Sequence, residues 1–209
     1  ACLAQVQGVA YDEELQPHEA VRVRFRDAGH ILGSSTLTIS DGARTVAFSG
    51  DLGRDNHPLL IRPESPVDAD VIVVESTYGD REHENWDAEI DEMAAAITRT
   101  IKRGGTVVIP AFAVDRTEVL LTALHDLQDT HRIPKVPIHV DSPMALAAMR
   151  VYREAIENSD PELTSAAIAQ GPDIFAPANL FEATTPEQSK RLDLGGARII
   201  ISASGMGTG

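Results

Sequence analysis

Near residue 80 the hydrophobic periodicity of this 209-residue chain changes from about two to about three and a half, the shift that separates half-buried strands from amphipathic helices. On the N-terminal side, VRVRFRD (21–27) alternates Val21, Val23 and Phe25 with Arg22, Arg24 and Arg26, which predicts a strand with an arginine stripe on its open face. STLTIS (35–40) and RTVAFS (44–49) repeat the alternation around Asp41-Gly42, a hairpin signal because those residues tolerate positive φ. Residues 20–50 therefore predict an antiparallel meander. DVIVVE (70–75) is a nearly continuous apolar run, read as a central strand that delivers Glu75 at its carboxyl end.

Beyond Gly79, Ile90, Met93, Ala94, Ile97 and Ile101 fall at helical spacing, with Asp87 and Glu89 early, Arg99, Lys102 and Arg103 late, and Gly104-Gly105 as the stop. TVVIP (106–110) predicts a buried strand, and 116–130 a helix with Leu120, Leu124 and Leu127 on one face and Asp115 as its N-cap. VPIHV (136–140) and ARIIIS (197–202) predict strands, and 144–158 a helix. Residues 171–184 have no period and predict loop. Thr185-Pro186-Glu187-Gln188 then reads as a capping box opening a short helix to about residue 194. Alternating strands and helices predict βα units on a parallel sheet, hence an α/β chain with domains 1–80 and 81–209.

A hydrophobic content of 43% is ample for a core. No apolar run approaches the roughly 18 residues that cross a bilayer, and residues 1–20 lack a signal-peptide layout, so the expectation is a cytoplasmic protein with no membrane partner. The single cysteine, Cys2, forms neither an internal disulfide nor a cysteine zinc site, so any metal must rest on histidine and carboxylate. A net charge of −14 argues against a broad basic face for nucleic acid and leaves room for a local basic groove.

His30, Asp51 and Glu75 each sit where a strand-like run meets a loop, and an imidazole with carboxylates suits zinc. Each also has a plain reading: a loop histidine beside glycines, an Asp in a Ser-Gly-Asp turn, and an acid capping the next segment. Arg54, Arg81 and Arg116, in DLGR, GDR and DRT, are candidates for phosphate contacts, with surface salt bridges as the alternative. His57 and His83 fall in polar loops and read as solvated; His125, His131 and His139 read as structural, and His18 lacks context.

DAGHILGSS, FSGDLGRDNHPLL, VVESTYGDREH, IPAFAVDRTEVLL, VDSPMA and ISASGMGTG occur in this order, and together they resemble the β-CASP branch of the metallo-β-lactamase superfamily, the RNA-processing nucleases. The match spans about residues 21–209. The resemblance implies part of a metallo-β-lactamase αββα domain followed by a parallel-sheet β-CASP domain. It implies hydrolysis of RNA phosphodiester bonds, internally, from an end, or both, with RNA as partner and a homodimer in view. His30 then resembles a ligand of one zinc, Asp51 the carboxylate bridging two zinc ions, and Glu75 the acid that hydrogen-bonds a catalytic histidine.

Departures from the family pattern bear on this reading. The His-x-His-x-Asp-His block expected before DAGHILGSS and the later histidines are not in this sequence. The expectation is therefore a fragment of a longer nuclease that by itself binds its two zinc ions incompletely and is inactive. Asp115 stands where the family usually has glycine, and reads as a helix cap or an acid facing substrate. In SASGMGTG the resemblance implies a Gly-rich turn near the cleft, which assigns Ser204 and Gly205 to substrate. The rivals are another metallo-β-lactamase-fold hydrolase and a non-catalytic subunit that binds RNA or a partner protein.

Overall fold

The structure is a computed structural model that describes residues 2–65, 68–81, 86–192 and 195–202. The chain divides into two compact units, Ala1–Arg81 and Glu82–Gly209.

The first unit is a five-stranded sheet in the order β1 (Glu14–His18), β2 (Val21–Asp27), β3 (Ser35–Ser40), β4 (Thr45–Phe48), β5 (Val71–Val73). β1 to β4 run antiparallel, with Val23 opposite Ile39 and Leu37 opposite Phe48, so the meander keeps its apolar residues in register. Asp41 closes the β3–β4 turn by accepting from the amides of Ala43 (2.9 Å) and Arg44 (2.7 Å). The arginine stripe on β2 is neutralised rather than open: Arg22 and Arg24 both reach Glu14, and Arg26 reaches Asp12 at 3.0 Å. β5 corrects the expectation of a central strand. It pairs in parallel with β4 but lies at the edge of the sheet, and Val71 to Val74 are 49–60% exposed. A run apolar on both faces belongs inside a parallel sheet, yet among the described residues no strand lies beyond it.

The second unit is a parallel sheet in the order β6 (Thr106–Pro110), β9 (Arg198–Ser202), β7 (Ile138–Asp141), β8 (Leu180–Glu182). Its helices are α1 (Trp86–Lys102), α2 (Arg116–Asp129), α3 (Pro143–Glu157), α4 (Ser165–Gln170) and α5 (Pro186–Arg191). Caps set their starts: Ser142, Thr164 and Thr185 accept from the amides of Ala145, Ala167 and Gln188, and Gln188 completes the capping box. The core gathers Leu121, Leu124 and Leu127 of α2, Met149 and Tyr152 of α3, Ile138 and Val140 of β7, and Ile199 and Ile201 of β9.

The predicted buried strand at 106–110 forms, but as edge strand β6, with Val108 61% exposed. The predicted loop at 171–184 holds a 3₁₀ turn (Pro172–Phe175) and β8. Phe175, fully buried, meets Tyr152 edge-on at 6.2 Å. Three residues are too few to show a strand period; β8 exists because β7 offers a parallel neighbour.

Glu118, in the first turn of α2, is fully buried and neither carboxyl oxygen has a hydrogen-bond partner. Loss of water pushes its pKa up to about 8, and the charge of nearby Asp115 adds to the rise. Glu118 is thus neutral inside the fold near pH 7 and ionised in the unfolded chain, where its ordinary value is 4.5. An acid raised in the folded state contributes most below its unfolded pKa, and that contribution is lost as pH climbs through the interval up to about 8. Chemical unfolding of the second unit should lose about 3 kcal/mol between pH 4 and pH 7 from this group, and Glu118→Gln should flatten that slope.

Candidate functional site

The corner carrying His30 is built from backbone bonds. Asp27, buried at the end of β2, accepts from the Gly29 amide at 2.6 Å. Ser34 Oγ accepts from the amides of His30 (3.0 Å) and Ile31 (3.2 Å), and the Ala28 amide donates to the Ser34 carbonyl. With its backbone satisfied within the loop, His30 is left exposed.

Glycine then brings the next loop against this one. The Gly53 amide donates to the Ala28 carbonyl at 2.8 Å, and a Cβ on Gly53 would stand 1.7 Å from the Gly29 carbonyl oxygen, so only hydrogen fits. Gly29 has φ +60°, and a Cβ there would meet the Ile61 carbonyl at 2.7 Å. The loop 50–54 is therefore held with its backbone directly against the His30 corner, and Asp51 is exposed on it.

Glu75, just past β5, clamps this loop. Its Oε1 accepts from the Leu52 amide at 2.8 Å, its Oε2 from the Thr77 amide at 3.3 Å, and its own amide donates to Ser49 Oγ at 2.9 Å. The hydrogen bond from the Thr77 side chain, then the Leu52 amide, hold the carboxyl below its ordinary value, and His30 is close enough to pull in the same direction. The three residues singled out in the sequence are thus brought into one neighbourhood, with Glu75 fixing the amide next to Asp51. An imidazole and a carboxylate are donors of the kind a zinc ion takes, but two leave most of its coordination to other ligands. Among the described residues no three His, Cys, Asp or Glu side chains gather as a metal site.

The candidate phosphate contacts separate. Arg81 is exposed and paired with its neighbour Asp80 through Nε at 2.9 Å. Arg54 is half-buried and already engaged. Arg116, exposed at the start of α2, is the most available of the three. Ser204 and Gly205 lie outside the described residues, as does His83.

His57 corrects the expectation of a solvated loop residue: it is buried, and Nδ1 accepts from the amides of Leu59 (3.2 Å) and Leu60 (3.0 Å). Asp115 corrects the helix-cap reading. Its side chain does not cap α2; it accepts from the Tyr152 hydroxyl at 2.9 Å, and its φ is +66°. Positive φ explains why a chain of this kind would place glycine there. Asp27, Ser34 and Ser49 hold the site's loops and were not singled out in the sequence. Asp27-x-Gly29 and the serine four residues after His30 were the available signals, since both side chains bond nearby amides.

Residues 117–209 match the Beta-Casp domain family. The chain is 35% identical over 188 residues to the Thermus thermophilus protein named Ribonuclease TTHA0252, an alignment covering 90% of this chain and 43% of that protein. It is 28% identical over 165 residues to an RNase J-like protein of Methanocaldococcus jannaschii, covering 77% and 39%. It is 30% identical over 156 residues to Cleavage and polyadenylation specificity factor subunit 3 of Dictyostelium discoideum, covering 74% and 20%. The chain spans less than half the length of each of these relatives.

Gly53→Ala should destabilise the first unit by about 3 kcal/mol or more in urea unfolding, because the added methyl meets backbone that cannot turn aside. At position 115 the order is specific: Asp115→Ala should lose about 1 kcal/mol with the Tyr152 hydrogen bond, whereas Asp115→Gly should recover about as much by releasing the positive φ and melt close to the parent.

Proposed function

Because this chain belongs to the β-CASP nuclease family, we propose that it forms part of a cytoplasmic, metal-dependent ribonuclease that hydrolyses RNA phosphodiester bonds. Residues 1–80 are read as part of its metallo-β-lactamase domain and 81–209 as its β-CASP domain. The observation that supports the reading most is the glycine-pressed contact between the His30 corner and the Asp51 loop, with Glu75 holding the amide beside Asp51.

In this proposal His30 and Asp51 would be among the residues that hold the zinc ions, with further donors needed beside them. When bound, the ions supply a nucleophile near neutral pH and offset the charge that grows on the phosphoryl oxygens. The chain's own residues do the rest. The backbone contact at Gly53 fixes the separation of the two ligand loops, so that neither side chain need be reorganised during the reaction. Glu75 is a positioning residue. Each of its oxygens carries lone-pair capacity beyond the amide it accepts, which suits it to the histidine N–H that the resemblance assigns to it. Arg116 is the candidate to meet phosphate from the β-CASP unit.

The test is cleavage of a 5′-labelled single-stranded RNA by the full-length protein, beside Asp51→Ala and a chelator-treated sample. Wild type should cut, the other two should fall by at least about a hundredfold, and the ladder separates internal cuts from trimming. RNA bound but left uncut by wild type, even with added zinc, would overturn the nuclease reading in favour of a binding subunit.

A further inference from the structure

The second unit carries a groove that the proposed reaction does not use. Two cavities of about 770 Å³ and 470 Å³ share Thr98, Lys102 and Arg132, and so form one channel between the last turns of α1 and the turn after α2. Its floor is short: Ala94, Ala95 and Thr98, with Thr98 Oγ1 donating to the Arg132 carbonyl at 3.4 Å. Its walls carry Arg99 and Lys102 from α1, and Arg132 and Lys135 from the opposite side.

This is an unusual concentration for a chain with 32 acids and 18 lysines and arginines. Several arginines of the first unit are matched to acids, as Arg22 and Arg24 are to Glu14 and Arg81 is to Asp80. In the groove, Arg99 and Lys102 are exposed and make no ion pair among the described residues. The acids facing the groove are Asp91, paired with Arg132, and Asp129, 3.9 Å from Lys135 and shared with His125. Helix-dipole compensation accounts for basic residues in the last turn of α1. Arg132 and Lys135 come from another element, and with their partners Asp91 and Asp129 they leave four cations against two acids around the groove.

We propose that this groove binds the phosphate backbone of an RNA strand, away from the bond being cut. The inference rests on the ribonuclease reading. Small residues beside Arg99 and Lys102 let a backbone come close, and these two cations, which make no ion pair among the described residues, can each replace a counterion of a phosphate. The two adjoining hollows are shallow and open to solvent, and they give an acidic protein a local means of holding an anionic polymer.

The experiment compares wild-type full-length protein with Arg99→Glu/Lys102→Glu, the milder Arg99→Gln/Lys102→Gln, and Arg150→Glu, a control on the exposed face of α3. Binding and cleavage are measured on a long and on a very short single-stranded RNA across a salt series. Charge reversal should weaken long-RNA binding about tenfold and reduce its salt slope by about 1.4, two phosphate contacts at about 0.7 each. KM for long RNA should rise with kcat unchanged, the short RNA should be unaffected, and the glutamine pair should show a smaller loss in the same direction. The inference is overturned if the glutamine pair keeps wild-type affinity and slope. It is overturned equally if Arg150→Glu loses as much. Wild type that neither holds nor cuts RNA would sink the ribonuclease reading itself, whereas wild type that cuts while the variants bind normally sinks the groove alone.

Discussion

The Gly53 Cα stands where no side chain can follow, with the Gly29 carbonyl directly in the path of any Cβ. This steric exclusion organises the first unit. It fixes how near the loop after β4 comes to the corner after β2, and the Gly53 amide then reaches the Ala28 carbonyl. Asp27 and Ser34 satisfy the corner's amides from within the loop, and Glu75 satisfies the Leu52 amide from the end of β5. The polar side chains left facing outward are those of His30 and Asp51. Backbone contact and charged hydrogen bonds hold these loops.

Much of this was legible in the sequence because the signals were periodic or local. The meander of β2 to β4 follows from strict alternation and a turn-forming Asp-Gly, and α5 from a capping box of four residues. His30, Asp51 and Glu75 stand out as chemistry-bearing residues at strand ends. Legibility failed where context outweighed local pattern. An apolar run says that a strand is suited to burial, not what lies on either side of it, and so β5 was read as central and β6 as buried while both are edges. β8 is too short to have a pattern. His57 looked polar by its neighbours in sequence, yet two backbone amides give its ring a reason to be buried. Asp115 was read from helix-capping chemistry, but its partner, Tyr152, is 37 residues away.

Electrostatics divides the molecule more sharply than the net charge implies. The β2 arginines are spent on Glu14 and Asp12, exposed pairs worth at most about 1 kcal/mol each, so they set surface neutrality rather than stability. In the second unit, acid and base are partly separated. Glu118 is enclosed without a partner in α2, while cations gather between α1 and the turn that follows α2. A strongly negative total is thus compatible with a locally positive channel.

The three exposed aliphatic residues of β5 and Val74 just after them have a consequence for the behaviour of the polypeptide in solution. Val71 to Val74 are β-branched, uncharged and at the open side of a sheet, which is the composition of a template on which another strand can add. Asp70 precedes them and Glu75 follows, so the segment is bracketed by negative charge at both ends. Those two carboxylates act as gatekeepers against self-association. Glu75 therefore serves two ends at once, and conditions acidic enough to protonate it would loosen the Leu52 loop and lower the electrostatic barrier to aggregation together.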